Sequence, residues 1–124
     1  MTDALTNAQK ILEVASRIRE LSDKLPGLAQ SKAEAEHDYQ LASSKAYFLL
    51  RNKGLSQGDA KEYVKGIGDE LSAMLNIYDL PLVGEYRYKR DLAEALEDAN
   101  KRALRATETE LSGLQSVQRD YKEL

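Results

Sequence analysis

The strongest constraint on this chain is the stretch from Gly84 to Leu124, which contains no proline and only one interior glycine, Gly113. Within it Leu92, Leu96, Ala99, Ala103, Thr107, Leu111, Leu114, Val117 and Tyr121 recur at steps of three and four. That spacing places them on one face of an α-helix. A helix of about 38 residues is roughly 57 Å long at ~1.5 Å per residue. The other helices are therefore expected to pack along it.

Upstream, Ile11, Val14, Ile18, Leu21 and Leu25 step alternately by three and four, a heptad-like seam. Thr6 followed by Gln9 fits a capping box. Together these predict a first helix over about 4–25. Pro26-Gly27 is the expected break, because proline disfavours a helical conformation at Leu25; a shorter first helix, or one that runs on through a kink, is the alternative. A second helix over about 28–52 carries Leu28, Ala35, Tyr39, Ala42, Ala46 and Leu49, with Phe48 and Leu50 widening its face. Its alanines allow close helix approach. Lys53-Gly54 reads as its C-terminal cap.

Ser56 is the expected N-cap of a third helix over about 57–75, with Asp59 at its positive end. Ala60, Tyr63, Val64, Ile67, Leu71, Met74 and Leu75 form its face. Gly66 and Gly68 weaken this helix by up to ~1 kcal/mol each relative to alanine. The segment 76–83 is the main loop, whose apolar residues are expected to pack on the end of the bundle. A fourth helix over about 84–122 completes an all-α, antiparallel helical bundle of about four helices in one domain, with coiled-coil-like packing.

Composition narrows the function. At 124 residues the chain is one domain by size, and 31% of its residues are charged. The net charge of −3 argues against a protein that coats DNA by neutralising phosphates. There is no cysteine, which excludes disulfides, thiol catalysis and cysteine-ligated metal. Met-Thr-Asp-Ala is not a basic region followed by an apolar run, so no signal peptide is expected, and the longest strongly apolar run, Tyr47 to Leu50, is far too short for a membrane span. A cytoplasmic protein is expected.

No catalytic, metal or phosphate motif stands out. His37 is the only histidine, and positions 40 and 41 are Gln and Leu, so the helical His-x-x-x-His pattern is missing. Gly66-Ile67-Gly68 has neither the strand nor the third glycine of a dinucleotide loop. The turn Lys53 to Ala60 superficially resembles a helix-turn-helix entry. The segment expected to read DNA, Gly68 to Ala73, is acidic or apolar instead of basic. No cofactor, metal or small-molecule substrate is expected, and the chain reads as non-enzymatic.

Two surfaces are candidates. Tyr86, Arg87, Lys89 and Arg90, with Lys101, Arg102 and Arg105 further along the helix, combine stacking rings and cations as a single-stranded nucleic-acid surface does. The competing reading is a solvated helix face. Glu85–Lys89, Glu97–Lys101 and Asp98–Arg102 are acid-to-base pairs four residues apart, and Tyr88 shares the apolar stripe with Leu92. The second candidate is an oligomer seam of Leu92, Leu96, Ala99, Ala103, Leu111, Leu114 and Tyr121, which favours an isologous homodimer.

Three blocks carry a resemblance. They are Glu34-Ala35-Glu36 through Tyr39, Ala42, Lys45-Ala46, Leu49-Leu50 and Lys53-Gly54; Tyr88 through Ala95; and Glu110-Leu111 with Leu114-Gln115-Ser116 through Arg119. Over roughly 28–120 the chain resembles the small α-helical early-region proteins of phages and prophages of Gram-positive bacteria. The resemblance implies a protein-binding inhibitor or adaptor made early in infection, of the type that includes anti-CRISPR and other counter-defence proteins. A replication or recombination accessory that binds single-stranded nucleic acid, and a structural or assembly protein, are the alternatives.

Overall fold

The computed structural model describes residues 3–67 and 80–123. In chain order these form α1 (Ala4–Asn52), α2 (Gln57–Glu62), a π-helical turn (Tyr63–Ile67) and α3 (Val83–Glu123). No strand occurs among the described residues. The chain divides into two compact units: unit 1 joins Met1–Ala29 to Ala95–Leu124, and unit 2 is Gln30–Glu94. In each unit a segment of α1 packs against a segment of α3. The architecture is all-helical, but the described helices are two long and one short instead of the four expected.

The expected break at Pro26-Gly27 does not occur, so the helices predicted over 4–25 and 28–52 are one helix. The burial pattern explains why. Asn7, Ile11, Val14, Ile18, Leu21, Leu25 and Leu28 are all at least half-buried, at alternating steps of four and three. The seam therefore passes Pro26 without losing phase. Pro26, Gly27 and Ser22, whose carbonyl the proline cannot bond, all lie on the exposed face. Water can satisfy that carbonyl there, so the helix tolerates its missing bond. At the start of α1 the N-cap is Asp3 instead of the expected Thr6: its Oδ1 accepts the Thr6 amide at 2.8 Å. Thr6 sits in the first turn, as the residue being capped.

The end of α1 follows from Gly54, at φ 99°. The Leu55 amide donates to the Leu50 carbonyl (3.1 Å) and the Gly54 amide to the Arg51 carbonyl (3.0 Å). That pair of bonds is a Schellman motif, which needs a left-handed residue at the position of Gly54. Leu55 then folds back onto the cluster that holds Leu50. Ser56 caps α2, its Oγ accepting the Asp59 amide at 3.1 Å.

Unit 2 has a true core. Ala46, Leu50, Ala60, Tyr63, Leu80 and Val83 pack together, flanked by Tyr39, Tyr47, Leu49, Leu55 and Val64. Tyr63 is 1% exposed, and its hydroxyl donates to the Pro81 carbonyl at 3.2 Å. This bond satisfies the buried phenol and ties the chain preceding α3 to the π turn. Leu80 packs inward, as expected of the loop's apolar residues, whereas Leu82 is exposed. Gly66, the expected weak point, falls in the π turn, a wider coil than an α-helix. The rest of the helix predicted to residue 75, with Gly68, Leu71, Met74 and Leu75, lies outside the described residues, as do Asn76, Ile77, Tyr78 and Asp79.

Unit 1 is an antiparallel pair of helix segments whose apolar seam is interrupted by polar layers. On α3 the half-buried or buried positions are Glu97, Asn100, Leu104, Thr107, Leu111, Leu114, Gln118 and Tyr121, again at steps of three and four. Asn7, 2% exposed, donates its amide hydrogens to the Leu114 carbonyl (3.0 Å) and to Gln118 Oε1 (2.9 Å). Asn100 donates to the Leu21 carbonyl at 2.8 Å. Residues 7 with 114 and 21 with 100 both sum to 121, so the two asparagines enforce one antiparallel register. Slippage would strand them, at about 1–3 kcal/mol for each buried unpaired group.

Two substitutions test the unbroken helices. Pro26→Ala is expected to raise stability by about 1–3 kcal/mol, since it restores a helical hydrogen bond at a solvent-facing site. Gly113→Ala meets nothing within 4 Å and is expected to add about 0.5–1 kcal/mol. Urea midpoints check both; an unchanged or lowered midpoint for Pro26→Ala would contradict a continuous α1.

Candidate functional site

The basic and aromatic cluster predicted at 86–90 belongs to unit 2, and its two arginines turn inward. Both lie near the ring of Tyr39 on α1. The Arg90 guanidinium carbon is 4.2 Å from the ring centroid and that of Arg87 is 5.7 Å away. Such stacking is worth about 0.5–2 kcal/mol, more as the cation loses water. Arg87 also donates to the Tyr39 hydroxyl at 3.4 Å and to the Val64 carbonyl in the π turn. Arg90 reaches Asp91 at 3.1 Å and Glu36 at 3.8 Å. The two arginines thus clasp α1, α3 and the π turn of unit 2.

The hydrogen bond from Arg87 holds the Tyr39 phenol below its ordinary pKa, aided by the positive charge of both arginines and opposed by partial burial. Of the remaining cluster residues, Lys89 lies over the Tyr86 ring at 5.6 Å, and Tyr88 is exposed. Lys101, Arg102 and Arg105 belong to unit 1. Lys101 pairs with Glu97 at 3.0 Å, whereas the side chains of Arg102 and Arg105 are exposed. The acid-to-base pairing read from the sequence is thus present at Glu97–Lys101.

The predicted oligomer seam divides between two faces of α3. Leu111, Leu114 and Tyr121 are half-buried in the unit 1 pair. Leu92, Leu96, Ala99 and Ala103 are exposed, because Ala93, Glu97, Asn100 and Leu104 occupy the inward positions beside them. The physical reason is that Glu97 and Asn100 take the inward positions of this stretch, beside the leucines and alanines that apolar periodicity selects, whereas Thr107, on the predicted face, is buried as that face requires.

The sequence reading missed exposed apolar residues on α1. Leu5 and Leu12 are largely exposed in unit 1, with Ala8 half-buried between them and Ala15 half-buried one step beyond Leu12. Leu41 and Phe48 are exposed in unit 2. The signal was available for Leu5 and Leu12, which fall off the seam defined by Ile11, Val14 and Ile18. In unit 1, Leu5, Ala8, Leu12 and Ala15 form one outer row on α1, and Leu96, Ala99, Ala103 and Ala106 form another on α3. Both rows step three, four, three. Val14 is the one fully buried apolar residue of this unit among the described residues.

Among the described residues no group of three or more histidines or acids is placed to hold a metal ion, and no helix is long and apolar enough to cross a membrane. His37 is exposed on α1. No family model, curated protein or solved structure matches the chain.

Arg87→Gln tests the clasp. It is expected to return the Tyr39 phenol toward the ordinary tyrosine pKa, followed by NMR titration of ring-labelled tyrosine with Tyr39→Phe for assignment. The sign for stability follows. A phenol with a lowered folded pKa adds nothing at neutral pH, begins to stabilise as pH rises through that pKa, and contributes fully above the unfolded value. The pH-dependent part of the difference between wild type and Arg87→Gln should therefore open only in alkali; a constant difference at all pH would contradict the clasp.

Proposed function

We propose that the chain is a non-enzymatic, protein-binding helical protein that works as a homodimer. The observation that carries this reading is the state of unit 1, where apolar side chains are exposed on the outer faces of both helices and Val14 is the one apolar residue fully buried between them among the described residues. Leu12 is 71% exposed and Leu96 51% exposed, while Asn7, Glu97 and Thr107 take buried places in the inner seam. Two helices alone give a marginal fold, and their stability comes mainly from packing an apolar face. A second copy of the pair would cover these rows as in a four-helix arrangement.

Charge permits self-association. Positive and negative side chains cancel along 3–29, and 95–123 carries one net negative charge. The resemblance at 34–54, 88–95 and 110–119 adds the context: an inhibitor or adaptor of phage origin, acting in the bacterial cytosol on a host or phage protein complex. Nucleic-acid binding is less favoured, since Arg87 and Arg90 are engaged inside unit 2.

Light scattering tests the dimer. The purified chain is expected at twice 13.9 kDa, and Leu96→Glu at the monomer mass with a lowered thermal midpoint. A wild-type chain that stays at 13.9 kDa at high concentration would sink the dimer.

A further inference from the structure

In unit 2 a groove of about 320 Å³ runs between α1 and the stretch formed by α2 and the π turn. Tyr47 and Val64, both half-buried, give it an apolar lining. Phe48, the only phenylalanine of the chain, stands at its edge 66% exposed, with its ring edge-on to Tyr47 at 6.1 Å. Lys61 and Lys65 line it from the α2 side, one helical turn apart and both exposed. No acid lines it among the described residues.

We propose that this groove docks an acidic amphipathic helix of a partner protein. An exposed aromatic ring beside an apolar lining is what receives the apolar ridge of a helix, whose anchors recur at three- and four-residue steps. Two ammonium groups one turn apart match carboxylates one turn apart on such a helix. Lysine heads on flexible stems meet those carboxylates without demanding a fixed geometry. The trough is open along one side, which suits a helix better than a small molecule needing enclosure. The proposal rests on the protein-binding reading but uses none of the residues of the proposed dimer rows.

Because Phe48 is unique, uniform labelling with 4-fluorophenylalanine puts one fluorine signal in the groove. The probe is a helical peptide of about four turns with a leucine row flanked by glutamates; its twin carries lysines instead. The glutamate peptide is expected to shift the Phe48 signal saturably, with affinity falling as salt rises, and the lysine twin to leave it unmoved. The exposed double substitution Lys61→Glu with Lys65→Glu should weaken the glutamate peptide about tenfold and admit the twin. A signal that stays still at saturating peptide, or that moves equally with both peptides, overturns the proposal. So does a signal that moves with phosphatidylglycerol vesicles and not with the peptide. Scattering mass on the same samples separates the two readings: a dimer with a silent fluorine defeats the groove alone, and a monomer with a responding fluorine defeats the dimer alone.

Discussion

The hydrogen bonds from Asn7 and Asn100 to backbone carbonyls on the opposite helix organise unit 1. Coiled-coil seams of leucine and alanine tolerate sliding, because one apolar layer replaces another at little cost. A buried amide does not, since it must find its acceptor at one position. Asn7 satisfies both hydrogens on α3 and Asn100 reaches back to α1. Register is thus enforced from both helices, at the expense of apolar burial.

That exchange sets the contrast between the units. Unit 2 buries Leu50, Tyr63 and Val83 in a cluster drawn from α1, the π turn and α3. Its polar groups close locally, as the Tyr63 hydroxyl does on Pro81 and Arg87 does on Val64. Unit 1 gives inward positions to Glu97, Asn100 and Thr107 and leaves leucines on its outer faces. The first arrangement has a fully buried apolar cluster, although Leu41 and Phe48 stay exposed beside it. The second has apolar surface in water, and the proposed function follows from it.

Much of this was legible in the residues. The helical class, the Gly54 cap, the Ser56 N-cap and the α1 seam from Ile11 to Leu25 each rest on local chemistry that tertiary context did not override. The break at Pro26 was misread because a local breaker was weighed without the phase on either side of it: Leu25 and Leu28 keep the same seam. The faces of α3 were misread for a related reason. Hydrophobic periodicity selected Leu92, Leu96, Ala99 and Ala103, whereas Asn100 and Glu97 lie inward by pairing across the seam or with their own helix. Polar residues that carry a buried layer look the same in sequence as those that face water. At the basic cluster, composition alone gave no sign that Tyr39, about fifty residues away in sequence, would draw Arg87 and Arg90 inward.

The sequence separation of the paired residues sets an order of assembly. In unit 2 the Tyr63–Pro81, Arg87–Val64 and Arg87–Tyr39 bonds span 18, 23 and 48 residues. In unit 1 the Asn100–Leu21 and Asn7–Leu114 bonds span 79 and 107. Loop-closure entropy rises with the length enclosed, so the shorter loops close first in a free chain. Once unit 2 has formed, its internal contacts already shorten the free chain that the distant pairs of unit 1 enclose, and part of their entropic penalty is gone. The asparagine-pinned seam of unit 1, which encloses the longest loops, is therefore the one to zip last.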